Sequence, residues 1–569
     1  MKSRLYLSLA LASTLVLTSC KKLGELSADN FTVTPSPMEA VAGQVPVTID
    51  GRFPEKYMKK KAVVTVIPVL RFEGGEAKGH SATFQGEKVK GNDQEISYKM
   101  GGNYTMKNSF DYLPYLPAMQ QSELYLTFEA RVGKKTVEVP EVKVADGVIA
   151  TSALVARTAA NANGALGEDA YQYSIAQTKK AQIKYLINQA KVRSSELQSV
   201  SVQEFVQMLR DIKADQKGLQ LDGIEVSAYA SPDGAFDFNK ELAEKREGTS
   251  TDYLKGELKK IDLEADIDGK YTAEDWDGFK ELVEQSNLQD KDVILRVLSM
   301  YQDPEERETQ IRNISAAYKE LADEILPELR RARLTLSYNI IGRTDDEIQA
   351  QYKADASKLS VEEMLYAATL TDDAAQKKDI YTKTTQLYPS DYRAYNNLAI
   401  LALQDGDLNA AKNYLDQAAS KKGDAVEVNA NRALLALAQG NVTEAENYAG
   451  RATTAKNYKE VVGNLNIAKG NYAQAANDLN GVNTNSAALA QILNKDYTAA
   501  TKTLSSVATP DAMTSYLKAI VSARTNQSST AISNLRDAIQ KDSSLKAYAA
   551  KDLEFAALFN DASFQSLVK

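Results

Sequence analysis

The chain offers very few side chains that could perform covalent or metal chemistry. Its 569 residues include one histidine, His80, and one cysteine, Cys20. A zinc site requires three or four His, Cys or carboxylate ligands, and Cys–His catalysis requires both partners close together. His80 lies in the polar stretch 78–81, which is typical of an exposed turn. The sequence therefore predicts no metal site, no catalytic residue and no enzymatic activity.

Length, composition and charge narrow the possibilities further. The chain is 43% hydrophobic and 25% charged, as expected for globular domains, and its formal charge is -8. Nucleic-acid binding requires a basic face, so we expect no nucleic acid among the partners. A chain of this length exceeds what one hydrophobic core supports, which predicts several domains.

The N-terminus has the pattern of a secretion signal. A short basic head precedes an apolar run over residues 5–17, which is too short for a membrane-spanning helix. The following Leu17-Thr18-Ser19-Cys20 resembles the lipobox of bacterial lipoproteins. That resemblance implies cleavage before Cys20, diacylation of its thiol and acylation of the new amino group.

The lipobox also implies a location. Several acyl chains, at about 0.8 kcal/mol per buried methylene, anchor a protein stably in a bilayer. Residues 1–19 are then a signal peptide and residues 20–30 a linker from the acylated Cys20. The only cofactor expected is this covalent lipid, and the expected location is the periplasmic side of the outer membrane.

Residues 31–150 alternate apolar and polar positions with a period of two, which predicts β-strands. A Gly-Lys turn within 132–137 between two alternating runs predicts a hairpin. Several antiparallel strands at this spacing favour a β-sandwich domain. The predicted strands are 31–34, 45–49, 62–67 and 124–128.

The region 171–343 combines both kinds of pattern. Strands are predicted at 185–193, 223–229 and 331–337, and helical spacing is found at 201–209 and 239–254. A helical, acidic stretch, 255–329, interrupts this order. The sequence therefore predicts an α/β domain that carries a helical insertion.

This β-α-β-α-β order resembles the OmpA-like domain that binds peptidoglycan. The resemblance also rests on the loop from Ser231 to Gly234 and on Asn239, Leu242 and Arg246 at their spacing. In that family an Asp in the loop and an Arg on the next helix hold the zwitterionic end of diaminopimelate. Arg246 matches the family arginine, but Ser231 stands where the family has aspartate.

The resemblance implies a candidate peptidoglycan site. A zwitterion needs a carboxylate for its ammonium group and a guanidinium for its carboxylate. Asp233 is a possible substitute for the missing family aspartate. A retained stem-peptide site and a degenerate domain kept for structure or protein docking both remain open. The candidate residues are Ser231, Asp233, Asn239, Arg246 and Arg331.

From residue 360 to 569 the chain repeats itself. Gly406, Gly440 and Gly470 are 34 and 30 residues apart, and each is followed by a small residue at plus five. This register resembles the tetratricopeptide repeat, which implies a solenoid of five to six helical hairpins closed by a C-terminal cap. Glycine allows the left-handed turn between the two helices of each hairpin.

A solenoid of this kind presents an inner face to peptides or partner surfaces. Polar side chains that could hydrogen-bond an extended backbone recur on the predicted inner helices. For each of these residues the alternative is a solvent-exposed side chain without a binding role. They are Tyr395, Asn396, Asn429, Asn431 and Asn464.

These predictions add up to a multidomain, non-catalytic protein. The expected order is a β-sandwich, an OmpA-like α/β domain and an all-α tetratricopeptide solenoid. We expect an outer-membrane-anchored scaffold whose repeats bind protein partners, with peptidoglycan as a further candidate contact. The alternative is a cell-wall tether for which the stem peptide is the main ligand.

Overall fold

The computed structural model describes residues 23–112 and 117–569. Cys20 and the signal segment lie outside the described residues. The chain divides into two compact units. The first combines the residues up to Asp169 with Thr371–Lys569, and the second is Ala170–Leu370. Within the described ranges, no helix is both long and apolar enough to cross a bilayer.

The first unit begins with strands, which confirms the sheet-rich N-terminal region predicted from the alternation. All four predicted strands and the hairpin are present. The strands are β1 (Phe31–Thr34), β2 (Met38–Glu39), β3 (Gln44–Phe53), β4 (Ala62–Phe72), β5 (Gly75–Lys78), β6 (Ala82–Gly86), β7 (Gln94–Ile96), β8 (Gly102–Asp111), β9 (Glu123–Val132), β10 (Lys135–Val137), β11 (Val142–Asp146) and β12 (Val148–Ile149).

Two sheets enclose the core of this region. One has the order β1-β3-β8, and the other has the order β10-β9-β4-β6-β7, with β5 and β11 paired to its strands. Ile49 on β3 belongs to the same buried cluster as Val64 on β4 and Leu126 on β9. Alternate residues of each strand thus fill one shared interior.

The next segment, residues 151–169, is called the strap below. It starts with a 3-10 turn, Thr151–Leu154, followed by the short helix α1 (Val155–Ala160). The remaining residues, 163–169, have no helix or strand of their own. Leu154, Val155, Ala159, Ala162 and Ala165 are all buried.

The second unit is built on a four-stranded sheet. Its order is β13-β16-β14-β15, in which β14 and β15 are parallel and the other neighbours antiparallel. The strands are β13 (Ser174–Lys184), β14 (Leu219–Tyr229), β15 (Ile267–Thr272) and β16 (Arg331–Ile341).

Helices follow the strands of this unit. α3 contributes Phe205 and Leu209 to a core shared with Val226 and Leu334 of the sheet. The helices are α2 (Ser194–Leu197), α3 (Val200–Ala214), α4 (Phe236–Lys260), α5 (Trp276–Gln285), α6 (Lys291–Met300), α7 (Pro304–Asn313), α8 (Ser315–Glu320), α9 (Leu326–Leu329), α10 (Asp345–Asp355) and α11 (Val361–Ala367).

Two elements of the second unit differ from the predictions. The first strand was predicted at 185–193, but β13 ends at Lys184, and most of its first half is exposed, so it lacks an apolar signal. The stretch 255–329 was predicted as helical, yet it also contains β15, whose residues are largely exposed. Both strands are recognisable only through their partners in the sheet.

The C-terminal part of the first unit is an array of paired helices, which confirms the helical region that the repeat predicts. The pairs are α13–α14, α15–α16, α17–α18, α19–α20 and α21–α22. The helices are α12 (Ala374–Leu387), α13 (Tyr392–Gln404), α14 (Leu408–Lys421), α15 (Val426–Ala438), α16 (Val442–Ala449), α17 (Tyr458–Ala468), α18 (Tyr472–Asp478), α19 (Asn485–Leu493), α20 (Tyr497–Ser505), α21 (Ala512–Arg524), α22 (Ser528–Lys541), α23 (Ser544–Ala549) and α24 (Ala562–Val568).

The repeat residues do what their spacing predicts. Gly406, Gly440 and Gly470 have φ of 75°, 78° and 77°, so each makes the left-handed turn between paired helices. Lys495 takes the next such turn at φ 64° without a glycine. The small residues at plus five are completely buried where the paired helices meet: Ala411, Ala445, Ala475 and Ala500.

Candidate functional site

The first helices of the pairs form a groove that is already filled. This inner groove is formed by α13, α15, α17 and α19, and the strap lies along it. Ala159, Ala162 and Ala165 of the strap share a buried cluster with Ala433 and Leu434 of α15. The occupant of the groove is thus a segment of the same chain.

Two asparagines hold the strap by its backbone. The Ala165 N–H donates to Asn431 Oδ1, and Asn431 Nδ2 donates back to the Ala165 carbonyl, both at 2.8 Å. Gly167 is held in the same way by Asn397, at 2.8 and 3.0 Å. A carboxamide has one acceptor and one donor group side by side, so it can pair with a peptide unit as a neighbouring strand does.

The pairings follow a regular register. Going along the strap from Asn163 to Ala165 to Gly167, the partners are Asn457, Asn431 and Asn397. Each step of two strap residues therefore crosses one helix pair. The bonded strap residues are thus alternate ones, as in an extended strand, where every second residue lies on the same side.

A third asparagine strengthens the centre of this ladder. Asn396 Nδ2 donates to the Ala165 carbonyl at 2.8 Å, and its Oδ1 accepts from Asn431 Nδ2 at 2.9 Å. Both side chains are 0% exposed. The two bonds therefore fix the orientation of the amides in the interior, where an unpaired polar group would be costly.

Glycines allow the strap to approach the helices closely. A Cβ atom at residue 164 would lie 2.6 Å from a side-chain carbon of Ile400. A Cβ atom at residue 167 would lie 2.7 Å from Arg393 Cβ and 2.8 Å from its Cα. No carbon pair packs at such distances, so the groove admits no side chain at either position.

Side chains of α17 and the loop before it hold the middle of the strap. Asn457 Nδ2 donates to the Asn163 carbonyl at 2.8 Å, and Asn163 Nδ2 donates to Glu460 Oε1 at 3.3 Å. Thr158 Oγ1 donates to Asn464 Oδ1 at 3.3 Å. Beyond the ladder, Glu168 forms an ion pair with Lys456.

Glu460 is the one acidic side chain of this set that is buried against the strap. It is 2% exposed, and this burial raises its pKa to about 7, although hydrogen bonds from Thr484, Asn163 and Ser486 act in the opposite direction. The carboxyl group therefore titrates near neutral pH.

The residues predicted on the inner face divide into two groups. Asn396, Asn431 and Asn464 contact the strap. Asn429 instead donates to the carbonyl of Ala425 within its own helix end, and Tyr395 donates to the Thr385 carbonyl at 3.4 Å. Their predicted role in binding another protein stays a prediction.

Two members of the ladder, Asn397 and Asn457, were not predicted from the sequence. Asn397 and Asn431 are 34 residues apart, and both lie nine residues before a turn glycine. Matching repeat positions would have selected Asn397 rather than its neighbour Asn396 as the equivalent of Asn431. Asn457 precedes α17 and occupies no repeated position, so no such signal marks it.

The second unit contains the residues predicted to bind peptidoglycan. Arg246 lies on α4 and is 0% exposed. Its guanidinium donates to three backbone carbonyls, of Gln189 at 3.0 Å, Tyr229 at 2.8 Å and Leu186 at 3.3 Å. It also lies 5.2 Å from the ring centre of Tyr185. Burial lowers the pKa of Arg246 to about 10.

The acidic residue of the candidate site is paired with other groups. Asp233 accepts from Arg330 at 3.2 Å and from the Ser231 hydroxyl. Among the described residues, no ion pair joins Arg246 to a carboxylate. The positive and negative groups that a zwitterion would need are thus both occupied within the protein.

The remaining two candidates are structural neighbours of this cluster. Asn239 donates to the carbonyls of Ser231 and Gly234, at 3.2 and 2.9 Å, and so shapes the loop. Arg331 forms a buried ion pair with Asp275 at 3.1 Å. The structure therefore brings Ser231, Asp233 and Asn239 together and gives Arg331 a separate partner.

The groups of both clusters are engaged in hydrogen bonds and ion pairs. Within the described part of the chain, no group of three His, Cys, Asp or Glu side chains could hold a metal ion. The groove provides amides for backbone, whereas Arg246 is bonded to backbone carbonyls and its neighbour Asp233 is paired with Arg330.

Comparison with known proteins assigns this chain to no family by sequence. No protein-family model matches the chain, and no curated protein matches it. Among solved structures, a tetratricopeptide repeat protein from Parabacteroides merdae is similar, with 13% identity over 37% of this chain and 91% of that chain, at a TM-score of 0.29. PilF of Pseudomonas aeruginosa is similar with 17% identity over 38% of this chain and 99% of its own, at a TM-score of 0.25. At such TM-scores the repeat assignment rests on the helix pairs of this chain themselves.

Proposed function

We propose that this protein is a non-catalytic scaffold of the bacterial envelope, anchored to the periplasmic side of the outer membrane through lipid on Cys20. Its helical array provides the surface on which other proteins assemble. The observation that carries the proposal is the asparagine ladder of Asn397 and Asn431, because paired amides of this kind recognise peptide backbone and perform no reaction.

The scaffold is tested by crosslinking in cells that make the full chain. Amine-reactive crosslinks from exposed lysines of the array, such as Lys412 and Lys459, should join it to one or a few partner proteins in constant proportion. A Cys20→Ala variant should lose both the partners and the label from a fatty-acid probe. Crosslinks confined to the chain itself, or full labelling of Cys20→Ala, would contradict the proposal.

The absence of catalysis is part of the proposal. It is supported by the scarcity of His and Cys and by the engagement of both clusters in hydrogen bonds within the chain. Robust turnover of peptidoglycan, peptide or ester substrates by the purified chain would contradict it. A loss of that turnover in a variant of a single residue would identify the site that the proposal lacks.

The OmpA-like character of residues 171–343 is a further part of the proposal. It is supported by the order of β13, α3, β14, α4 and β16 and by the arginine on α4. We place the scaffold before the wall tether because Arg246 is buried and already bonded to three carbonyls.

Sedimentation with purified peptidoglycan sacculi separates the two roles. The tether requires the full chain to sediment and Asp233→Asn to weaken this, whereas the scaffold requires neither. Asp233→Asn is preferable to an Arg246 variant because Arg246 is part of the interior. Asp237→Asn, at an exposed position on the first turn of α4, is the matched control.

A further inference from the structure

The strap is bound by the array as a peptide ligand would be, although it belongs to the same chain. It has no helix or strand between residues 163 and 169, its backbone is bonded at the alternate residues 163, 165 and 167, and its two glycines lie where a side chain would collide. Ala159, Ala162 and Ala165 are buried in a cluster of the array. The groove therefore accommodates a segment of small residues whose backbone is accessible to its amides.

The groove leaves no second set of amides for another peptide at the same place. Asn396, Asn397 and Asn431 are each at most 2% exposed, and both hydrogen-bonding ends of Asn397 and Asn431 are used by the strap. Any other extended peptide that used these amides would have to occupy the position of the strap.

We infer that the strap is an intramolecular ligand that closes the inner groove, so that an outside peptide of the same chemistry binds only after the strap has left. This rests on the proposed function, since it specifies which peptide the array recognises. The matching peptide is extended, has Gly at two positions three residues apart and has a small residue directly after the first of them.

Covalent attachment explains why the closure is effective. A tethered segment has an effective concentration on the order of 1 mM or more at its own site. For an outside copy that binds the opened groove with a Kd of about 10 μM or tighter, the tethered strap therefore weakens binding to the intact protein by at least about 100-fold.

The test opens the groove without changing the residues that form it. Gly164→Val with Gly167→Val in the full chain places side chains where Ile400 and Arg393 leave no room, so the strap should leave the groove. The probe is a fluorescent synthetic peptide with the sequence of residues 151–169, and its anisotropy is measured against both proteins. We expect at least 100-fold tighter binding to the double variant than to the unaltered chain.

Two controls make the result specific. The same peptide with both glycines changed to valine should not bind the opened groove. Leu166→Ala, at a side chain that is 49% exposed, should leave the groove closed. Equal binding of the probe to unaltered chain and double variant would overturn the inference, as would failure to bind a double variant whose circular dichroism is unchanged.

A second measurement applies if the double variant does not fold. In the unaltered chain the amides of Ala165 and Gly167 donate to Asn431 and Asn397, so we expect their hydrogen exchange to be slowed at least 100-fold relative to an unstructured peptide. Fast exchange at both would overturn the inference. Neither result changes the outcome of crosslinking in cells, so failure of the inference and failure of the scaffold proposal are distinguishable.

Discussion

The inner groove and the Arg246 cluster both bury polar side chains against backbone, but with different groups. In the groove, neutral amides of Asn397 and Asn431 both donate and accept, so each pairing is complete in itself. In the second unit, the guanidinium of Arg246 only donates, and it collects three carbonyls from separate places in the chain.

The difference teaches how each cluster relates to a ligand. An amide pairs with any extended peptide unit, so the groove has the chemistry of a receptor even though its occupant belongs to the same chain. A buried guanidinium is satisfied only by the particular carbonyls around it, and removing it leaves those acceptors unpaired. We therefore expect the second cluster to behave as part of the core and the first as a binding site.

The largest effect is expected for Arg246→Ala. Loss of three hydrogen bonds and a buried side chain should destabilise the second unit by about 4 kcal/mol. Trp276, the only tryptophan of the chain, lies in this unit, so its fluorescence during urea unfolding measures that unit selectively.

Arg333→Ala is the control for this change, because its side chain is 40% exposed and its nearest ion-pair distance is 3.7 Å. It should shift the transition by less than about 1 kcal/mol. A normal transition in Arg246→Ala, together with reduced binding to sacculi, would reverse the comparison and make Arg246 a ligand-binding residue.

The next effect is a dependence on pH. Glu460 has a pKa raised to about 7 by burial, and burial likewise raises the pKa of Asp552 to about 7. A carboxyl group whose pKa is raised on folding holds its proton more tightly in the folded state. Its contribution to stability is therefore full below about pH 4.5 and is lost as pH rises through 7.

Glu460→Gln should remove part of this decrease in stability at high pH, because glutamine does not titrate. The first unit should then be more stable above pH 7 by at most about 3 kcal/mol. Calorimetric melting at pH 5 and pH 8 measures it, and Asp552→Asn should remove a second part. Glu444→Gln, at an exposed position of α16, is the control and should leave the pH dependence as it is. An unchanged dependence in Glu460→Gln would mean that the strap does not bury this carboxyl group.

A smaller effect is expected for Gly167→Ala. The added Cβ would approach the backbone of Arg393 to 2.8 Å, so the strap must shift at a cost of about 2 kcal/mol. Melting of the first unit and hydrogen exchange of the strap measure this cost.

Gly450→Ala is the matched control, since its nearest neighbouring atom would be 3.7 Å away and its backbone is helical. It should leave the strap unaffected. If Gly167→Ala behaved like this control, the close packing of the strap against α13 would be wrong.

The smallest effect is expected for Asn431→Ala. It removes two bonds to Ala165, but the carbonyl of Ala165 keeps its bond from Asn396. We expect a loss of about 1.4 kcal/mol, measured as roughly tenfold faster exchange of the Ala165 amide. Asn429→Ala should leave this amide unchanged because the Asn429 amide donates to the carbonyls of Gly423 and Ala425.

Much of the fold is predictable from local pattern. The strands of the N-terminal region are predicted because alternation with a period of two marks one buried face. The turns at Gly406, Gly440 and Gly470 are predicted because glycine at a fixed spacing has few other uses. In contrast, β13 and β15 carry little apolar signal, and their pairing with β16 and β14 is what makes them strands.

The sites were predictable to a lesser degree. Asn396, Asn431 and Asn464 were found because polar residues are common on the inner helices, whereas Asn397, at the position equivalent to Asn431, was missed. That Arg246 is interior could not be derived, since α4 is rich in charged residues and its pattern is typical of a solvated helix. The three carbonyls that surround the guanidinium come from residues 17 to 60 positions away.

The sequence by itself determined the repeat, the strands of the sheet region and the scarcity of catalytic groups, because these depend on residue type and short-range spacing. Only the tertiary structure decided what fills the groove. The strap and its asparagines are more than 200 residues apart, and nothing in a stretch of small residues specifies which distant amides its backbone meets. These hydrogen bonds join side-chain amides to backbone, and they form only where the fold brings the two together, so no local sequence pattern marks the strap as their partner.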